Sequence, residues 1–330
     1  MSYDLPAALA SYPLRTTRRG QFWIPGEILD TPGGTVMRAP MYVHWEAPET
    51  VEHPYPVILV HGGGGQGADY LGTADGKPGW IDTFVAAGFL TYVVDRPGHG
   101  RSWFHPDVVG PAGGMFPYQA AQGLFAPGIP GHTQAVWTGE PGDPGTDQLV
   151  SGMGFVHADY AEVNRMDADR LAKLLDRTGP AIILTHSAGA PAGWLVCELR
   201  HDLVKAHVAL EPIGPAFGGF PGLGELTWGL SAQKPHFEPE PATPEELKAN
   251  PSAFRQTGLA GIPTAVIVAE ASPFTAFEES VSDFVNALGG SSEFINIADH
   301  GVHGNGHGMM LEANAAEAAG PIIEWISKIR

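Results

Sequence analysis

The sequence predicts an α/β protein: a mostly parallel sheet covered by helices on both faces. Short buried strands alternate with amphipathic helices along most of the 330 residues, and 43% of the residues are hydrophobic. This composition supports a substantial core and excludes a disordered chain. Two stretches rich in Gly and Pro, at about 102–157 and 212–261, interrupt the alternation.

Short runs of apolar and β-branched residues predict the strands. They are Met41–Trp45, Val57–His61, Leu90–Asp95, Ala181–His186, Ala206–Glu211, Thr264–Glu270 and Glu293–Ala298. Strands that are apolar on both faces are typical of parallel sheets.

Apolar residues three and four positions apart predict the helices. They are Trp80–Ala87, Ala158–Arg177, Pro191–His201, Phe277–Leu288 and Leu311–Ile329. Ligands of such sheets bind at the carboxyl ends of the strands, so the residues after each strand are the candidates for a site.

The two irregular stretches, 102–157 and 212–261, are predicted to form a lid or cap on a single domain. Long irregular segments inside a compact domain are usually functional. Both stretches follow strand ends and should therefore lie over the same end of the sheet; the second contains a predicted short helix at Pro244–Asn250. The alternative is surface decoration.

Charge and cysteine content limit the partners. Lys and Arg total 18 against 36 Asp and Glu, so the net charge is −18, which disfavours nucleic acid and anionic membranes. No apolar run reaches the ~18 residues that a membrane span needs. Met1–Pro6 has no basic segment followed by an apolar run, so no secretory signal is expected. With the single Cys197, this predicts a reducing, cytoplasmic location, and the alternative is a processed, exported form.

The segment Ala181–Trp194 is predicted to form a strand, a tight turn and a helix, with Ser187 at the turn. Thr185 and Gly189, two positions on either side, are small, as a nucleophile elbow requires, although Thr185 replaces the first glycine of that motif. The helix N-terminus would favour developing negative charge. The alternative is that Ser187 only caps the helix.

A glycine-rich loop follows the strand that begins at Val57. Gly62, Gly64 and Gly67, with Asp82 downstream, fit a dinucleotide-binding fingerprint. That fingerprint requires a helix to begin at once, whereas 68–79 is loop-like.

The other interpretation of the glycine loop is an oxyanion loop, which the serine turn downstream favours. The backbone N–H groups of Gly63 and Ala188 are the predicted oxyanion donors, with Gly64 as an alternative to Gly63. His61 is interpreted as a structural residue that holds the loop.

Three histidines, His300, His303 and His307, lie between the last predicted strand and the last helix. Glycines separate them and no cysteine is near, which disfavours a metal site. A serine nucleophile needs a base, and in the chain order serine, acid, histidine the base comes last. His307 is the first choice, then His303 and His300. No cofactor is expected.

The base in turn needs a carboxylate that orients it. Glu211 and Glu270 each end a predicted strand between the serine and the histidines. The pattern alone leaves both open.

The motifs together resemble the α/β-hydrolase superfamily over about Phe22–Ile329. The stretches that carry the resemblance are Val60–Gly67, Asp75–Trp80, Val93–Ser102, Leu184–Gly189, Leu210–Pro212 and Gly304–His307. The chain looks most similar to a group of bacterial serine esterases whose triad acid is a glutamate after the sixth strand. The resemblance implies an eight-stranded sheet, with Ser187 as nucleophile, Glu211 as acid and His307 as base. Members of that group are typically exported and disulfide-bonded, and the single cysteine departs from this.

The predicted function is therefore hydrolysis of a carboxylic ester through an acyl-enzyme. Aromatic and apolar residues of the two insertions are predicted to line a pocket for an apolar, medium-sized substrate: Trp103, Phe104, Met115, Phe116, Trp137, Phe217, Phe220 and Trp228. Alternatives are a lactonase, amidase or carbon–carbon bond hydrolase with the same triad, a non-catalytic ligand-binding protein, and a nicotinamide dehydrogenase. The predicted partner is a small ester or lactone, and the apolar last helix suggests a homodimer.

Overall fold

An eight-stranded sheet forms the centre of the computed structural model, which describes residues 14–220 and 222–330. The segment Met1–Pro6, for which no signal was expected, lies outside the described residues. In chain order the strands are β1 Thr17–Ile24, β2 Met41–Pro48, β3 Val57–Val60, β4 Thr91–Asp95, β5 Ala181–His186, β6 Val204–Leu210, β7 Pro263–Val268 and β8 Ser291–Asn296. Their spatial order is β1-β2-β4-β3-β5-β6-β7-β8.

The strand directions confirm the predicted mostly parallel sheet. β1 pairs antiparallel with β2, and β2 pairs antiparallel with β4. The remaining neighbours are parallel. β1 was not predicted, because the first five residues of its sequence TRRGQFWI are polar or glycine, so neither an apolar run nor an alternating pattern marks this edge strand.

The core consists of apolar layers on the two faces of this sheet. In β3, Val57 and Leu59 pack into one layer, whereas Ile58 and Val60 pack into the other. This alternation is the normal consequence of strand geometry, and it explains why the central strands read as continuous apolar runs.

Helices cover both layers. Their bounds are α1 Trp80–Ala86, α2 Pro106–Val109, α3 Tyr118–Phe125, α4 Pro144–Ser151, α5 Tyr160–Thr178, α6 Ala190–Leu199, α7 Pro244–Ala249, α8 Glu278–Ala287, α9 Ala315–Ala318 and α10 Gly320–Ile326. The single last helix predicted over Leu311–Ile329 is wrong: α9 and α10 are separate, and Pro321 cannot donate the backbone hydrogen bond that a continuous helix needs there. No helix within the described ranges is long and apolar enough to cross a bilayer.

Both irregular stretches contain more regular structure than the sequence suggested. The first holds α2, α3, α4 and a strand pair, Ala112–Met115 with Phe155–His157. The second holds α7 and two pairs of two-residue strands. The start of α4 had a sequence signal: the side chain of Asp143 accepts a hydrogen bond from the Thr146 amide, and Pro144 occupies the first helical position.

Candidate active site

Ser187 stands at a sharp turn between β5 and α6. Its backbone φ is +50°, a left-handed conformation that non-glycine residues rarely adopt. The turn presses against the glycine loop, since a Cβ added to Gly62 would lie 2.9 Å from the Ser187 Cβ and 2.8 Å from the His186 Nδ1. A Cβ added to Gly189 would lie 2.4 Å from the His61 carbonyl oxygen. Glycine is therefore required at position 62 in the neighbouring loop and at position 189 after the serine.

The imidazole of His307 lies between Ser187 and Glu211. Its Nε2 is 3.0 Å from the Ser187 Oγ, and its Nδ1 is 3.2 Å from the Glu211 Oε2. Glu211 follows β6 and is fully buried; its Oε1 accepts a hydrogen bond of 2.7 Å from the Ala269 amide. The Ser272 hydroxyl donates to Oε2. These donors hold the carboxylate in place beside the imidazole Nδ1.

Burial dominates the electrostatics of this pair. It lowers the pKa of His307 to about 3, against the opposing charge of Glu312. It also raises the pKa of Glu211 to about 8, although the hydrogen bonds from Ser272 and Ala269 act in the other direction. Because the two groups are buried in contact with each other, their protonation is coupled and they titrate as a pair. The neutral imidazole is free to accept a proton at Nε2.

The other candidates for acid and base lie apart from Ser187. Glu270 and His303 are exposed and pair with each other, with the His303 Nδ1 3.3 Å from the Glu270 Oε1. His300 is exposed at the end of the 3-10 helix Ile297–His300. Across the described ranges, His, Cys, Asp and Glu side chains form no group of three suited to a metal ion.

The predicted oxyanion donors Gly63 and Ala188 line the same cavity as Ser187. Within the described part of the chain, the Gly63 N–H makes no hydrogen bond. Ala188 lies in the first turn of a helical segment, where backbone N–H groups have no partner within the helix. Both amides are therefore available to an oxygen bound near Ser187.

A buried guanidinium holds the glycine loop in place. The Nη2 of Arg96 donates to the carbonyl oxygens of Gly62 and Gly63, at 2.8 and 2.7 Å. Its Nη1 pairs with Asp167 at 2.6 Å, and its backbone N–H donates to the Nε2 of His61 at 3.0 Å. Because the carbonyls point at the guanidinium, the loop amides point away from it.

A cavity of about 320 Å³ opens in front of Ser187. Its walls are mostly apolar and come from both insertions, from the 3-10 helix after β7 and from the segment after His307. The apolar lining includes Met115, Phe116, Leu124, Phe125, Met153, Val156, Ile213, Phe220, Leu223, Phe274, Met310 and Leu311. Of the residues predicted to bind substrate, Phe116 lines this cavity, as do Met115 and Phe220.

The other five aromatic residues that were predicted to bind substrate do not line the cavity. The apolar residues named above form its wall instead. Trp103 is 41% exposed, and Phe104 packs edge-to-face on Phe155. Trp137 is buried against Phe125, behind the cavity wall. Phe217 and Trp228 pack on the layer around α6 and α8.

Several residues at the site carried no signal in the sequence. Ser272 contacts the candidate acid Glu211, and Glu312 contacts the loop that carries His307. No sequence motif marks either residue, because the fold brings them to these positions. The Nε2 of His186, directly before Ser187, donates a hydrogen bond of 3.0 Å to the His307 carbonyl oxygen, and His186 lines the cavity. Its place in the strand–turn–helix motif was the one available hint.

Comparison with known proteins identifies the relatives. The chain is 31% identical over 321 residues to the probable secreted lipase phiG of Fungal sp. (strain ATCC 74256), covering 90% of this chain and 88% of the fungal protein. A solved structure described as a novel bacterial esterase has a TM-score of 0.70 at 22% identity and covers 99% of both chains. No family model matches the chain.

The sheet order and the strand–turn–helix serine, together with these relatives, define an α/β hydrolase. The chain belongs to the esterases and lipases of the α/β-hydrolase superfamily, which hydrolyse carboxylic esters.

Proposed function

We propose that the protein cleaves esters with apolar, medium-sized groups through Ser187, His307 and Glu211. The observation that carries the proposal is the unbroken chain of contacts, 3.0 Å from Ser187 to His307 and 3.2 Å from His307 to Glu211. This is the arrangement that nucleophilic catalysis by a serine requires.

In the first half-reaction, the Ser187 Oγ bonds to the ester carbonyl carbon while its proton passes to the Nε2 of His307. The oxyanion accepts hydrogen bonds from the amides of Gly63 and Ala188, each worth a few kcal/mol of barrier. The carbon–oxygen bond of the ester then breaks, and His307 returns the proton to the leaving alkoxide. Glu211 holds the Nδ1–H and stabilises the imidazolium that forms in between.

In the second half-reaction, water takes the place of the serine hydroxyl. His307 accepts one proton of the water as its oxygen bonds to the acyl carbon, and Ser187 recovers that proton when it leaves. An alcohol and a carboxylic acid are released, and the enzyme returns to its starting state.

The cavity supports the substrate class. Its volume of about 320 Å³ is at the lower end of the roughly 300–1,000 Å³ typical of small-molecule sites, and its walls are mostly apolar. The two insertions, 102–157 and 212–261, act as the cap, because side chains from both of them complete the wall above Ser187.

A fluorophosphonate probe tests this proposal. Its phosphorus is attacked by an activated serine and fluoride leaves, so intact-protein mass spectrometry is expected to show one adduct on the wild type. The adduct is expected to be absent from Ser187→Ala and retained by Ser280→Ala, which changes an exposed serine on α8. A folded wild type that forms no adduct and cleaves no ester would overturn the proposal. Matched open-chain esters and lactones then separate an esterase from a lactonase.

A further inference from the structure

Among the described residues that line the mostly apolar cavity, one is acidic. Asp69 belongs to the 3-10 helix Gly67–Tyr70 that follows the glycine loop, and it is half-buried at the cavity wall. Its Oδ2 accepts a hydrogen bond of 3.1 Å from the Gln66 amide. Within the described ranges no donor reaches Oδ1, so part of this carboxylate is left for a ligand.

The rest of the cavity wall supplies no positive charge. Neither Lys nor Arg is among its lining residues within the described ranges. The lining histidines are neutral, because burial lowers the pKa of His61, His186 and His307. The guanidinium of Arg96 is turned to Asp167 and the loop carbonyls.

The carboxylate and Ser187 line the same cavity and lie beside the same loop. A Cβ on Gly62 would touch Ser187, and a Cβ on Gly65 would lie 2.4 Å from the Asp69 Oδ2. The chain from Gly62 to Gly65 spans at most about 11 Å when fully extended. The serine and the carboxylate therefore stand at the two ends of one short loop.

We propose that Asp69 forms a subsite for a cationic group, so that esters bearing an ammonium group are preferred over neutral esters of the same shape. The attraction between an ammonium and a carboxylate is stronger in this cavity, from which water is partly excluded, than in bulk water. The apolar walls can contact the hydrocarbon groups around the ammonium. The net charge of −18 further favours the approach of cations. This inference rests on the proposed hydrolysis at Ser187.

The test compares two esters of the same shape that differ in charge. They are butyrylcholine and 3,3-dimethylbutyl butyrate, in which a neutral carbon replaces the positively charged nitrogen. The wild type is expected to prefer the cationic ester by about tenfold or more in kcat/KM. Asp69→Asn keeps an oxygen for the Gln66 amide, and it is expected to lower kcat/KM for butyrylcholine by about tenfold more than kcat/KM for the neutral ester, so that the preference is lost.

A matched variant controls for net charge. Asp283→Asn removes the same charge from an exposed position on α8, away from the cavity lining, and is expected to retain the preference. An equal preference in the wild type and Asp69→Asn would overturn the subsite. If the neutral ester is still cleaved in that case, the proposed function stands and only the subsite fails.

Binding gives a readout that does not need turnover. Titration calorimetry with tetraethylammonium is expected to give binding to the wild type and to Ser187→Ala that weakens at least about fivefold in Asp69→Asn. Equal binding in the wild type and Asp69→Asn would contradict the subsite even if the protein hydrolysed no ester.

The preference is expected to rise with pH. Burial raises the pKa of Asp69 to about 7, with the nearby charge of Asp95 adding to the shift and the Gln66 amide opposing it. Asp95 is itself paired with Arg101, and burial also raises the pKa of Tyr70. Ionisation of Asp69 near neutral pH should therefore increase kcat/KM for butyrylcholine relative to its neutral isostere. A ratio that stays flat from pH 6 to 8 would contradict this.

Discussion

Glu211 and Glu270 both follow strands of the sheet, but they face different histidines. Glu211 is buried against His307, whereas Glu270 is exposed beside His303. We expect Glu211→Gln to lower kcat/KM by about 10³–10⁴-fold, because an amide neither fixes the imidazole tautomer nor stabilises the imidazolium. Steady-state kinetics with a neutral ester measures this.

The matched variant Glu270→Gln is expected to keep kcat/KM within about twofold of wild type, with circular dichroism confirming that both variants fold. A larger loss in Glu270→Gln than in Glu211→Gln would transfer the role of the acid to Glu270.

The burial of His307 and Glu211 also sets the pH dependence of the reaction. Burial lowers the pKa of His307 and raises the pKa of Glu211 to about 8, so the pair takes up its first proton at the carboxylate. Because a neutral Glu211 does not stabilise the imidazolium, we expect kcat/KM for a neutral ester to fall as the pH drops below about 8. Steady-state kinetics from about pH 5 to 9 measures the profile. A kcat/KM that stays flat down to about pH 6 would contradict the role given to burial.

At the scale of elements, a buried carboxylate ties the histidine loop to the first insertion. Glu312 accepts hydrogen bonds from His132 Nε2 at 2.9 Å, from Asn305 Nδ2 at 2.8 Å and from the Gly306 amide at 3.0 Å. His132 belongs to the first insertion, and the other two donors immediately precede His307. This cluster therefore positions His307, the proposed base, and one cavity wall together.

Loss of this anchor is expected to reduce both stability and activity. Burial alone would lower the pKa of His132, but the hydrogen bond and charge of Glu312 outweigh this effect. The pKa of His132 in the folded protein is therefore raised above 6.5. The ion pair therefore contributes fully below pH 6.5, the unfolded value, and weakens as the pH rises through the folded pKa.

We expect Glu312→Gln to lower the free energy of unfolding by about 1–3 kcal/mol, more at pH 5.5 than at pH 8.5. Urea unfolding at the two pH values measures the difference. Glu317→Gln, on an exposed position of α9, serves as the control. A loss that is larger at the higher pH would reverse the assigned linkage.

The elements that sequence could predict are those whose signals are local. β5 matches its predicted bounds, and α6 and α8 match theirs within two residues, because apolar runs, caps and breaking residues lie within the elements themselves. β1 and the short helices of the first insertion were missed, whereas α7 of the second insertion was predicted. The first five residues of β1 are polar or glycine, and α3 lies in a stretch dominated by Gly and Pro.

The residues of the site also differ in whether a local sequence signal marks them. Ser187 and the glycine loop have sequence signatures, because strain and close packing restrict the residue types there. Asp69, Ser272 and Glu312 have none, since their importance arises from contacts between distant parts of the chain. The cavity wall was likewise beyond prediction: which aromatic residues face the cavity depends on the packing of the insertions.

At the scale of the whole molecule, Cys197 reports on opening of the core. It is fully buried in α6, and burial raises its pKa to about 12. The thiolate is the reactive form, so we expect 5,5′-dithiobis(2-nitrobenzoic acid) to leave the native protein unlabelled at pH 8 and to label one thiol per chain in denaturant. Absorbance at 412 nm measures both. Rapid labelling without denaturant would contradict a closed core around α6.

The two insertions and the sheet contribute different things to the site. The side chains proposed for the chemistry follow β5, β6 and β8, whereas much of the cavity wall comes from 102–157 and 212–261. Different segments of the chain therefore supply the reacting groups and the walls that contact the substrate. Exchange of an insertion between relatives is expected to change which esters are bound while the reaction stays the same, so substrate range can evolve through one loop without loss of the reacting groups.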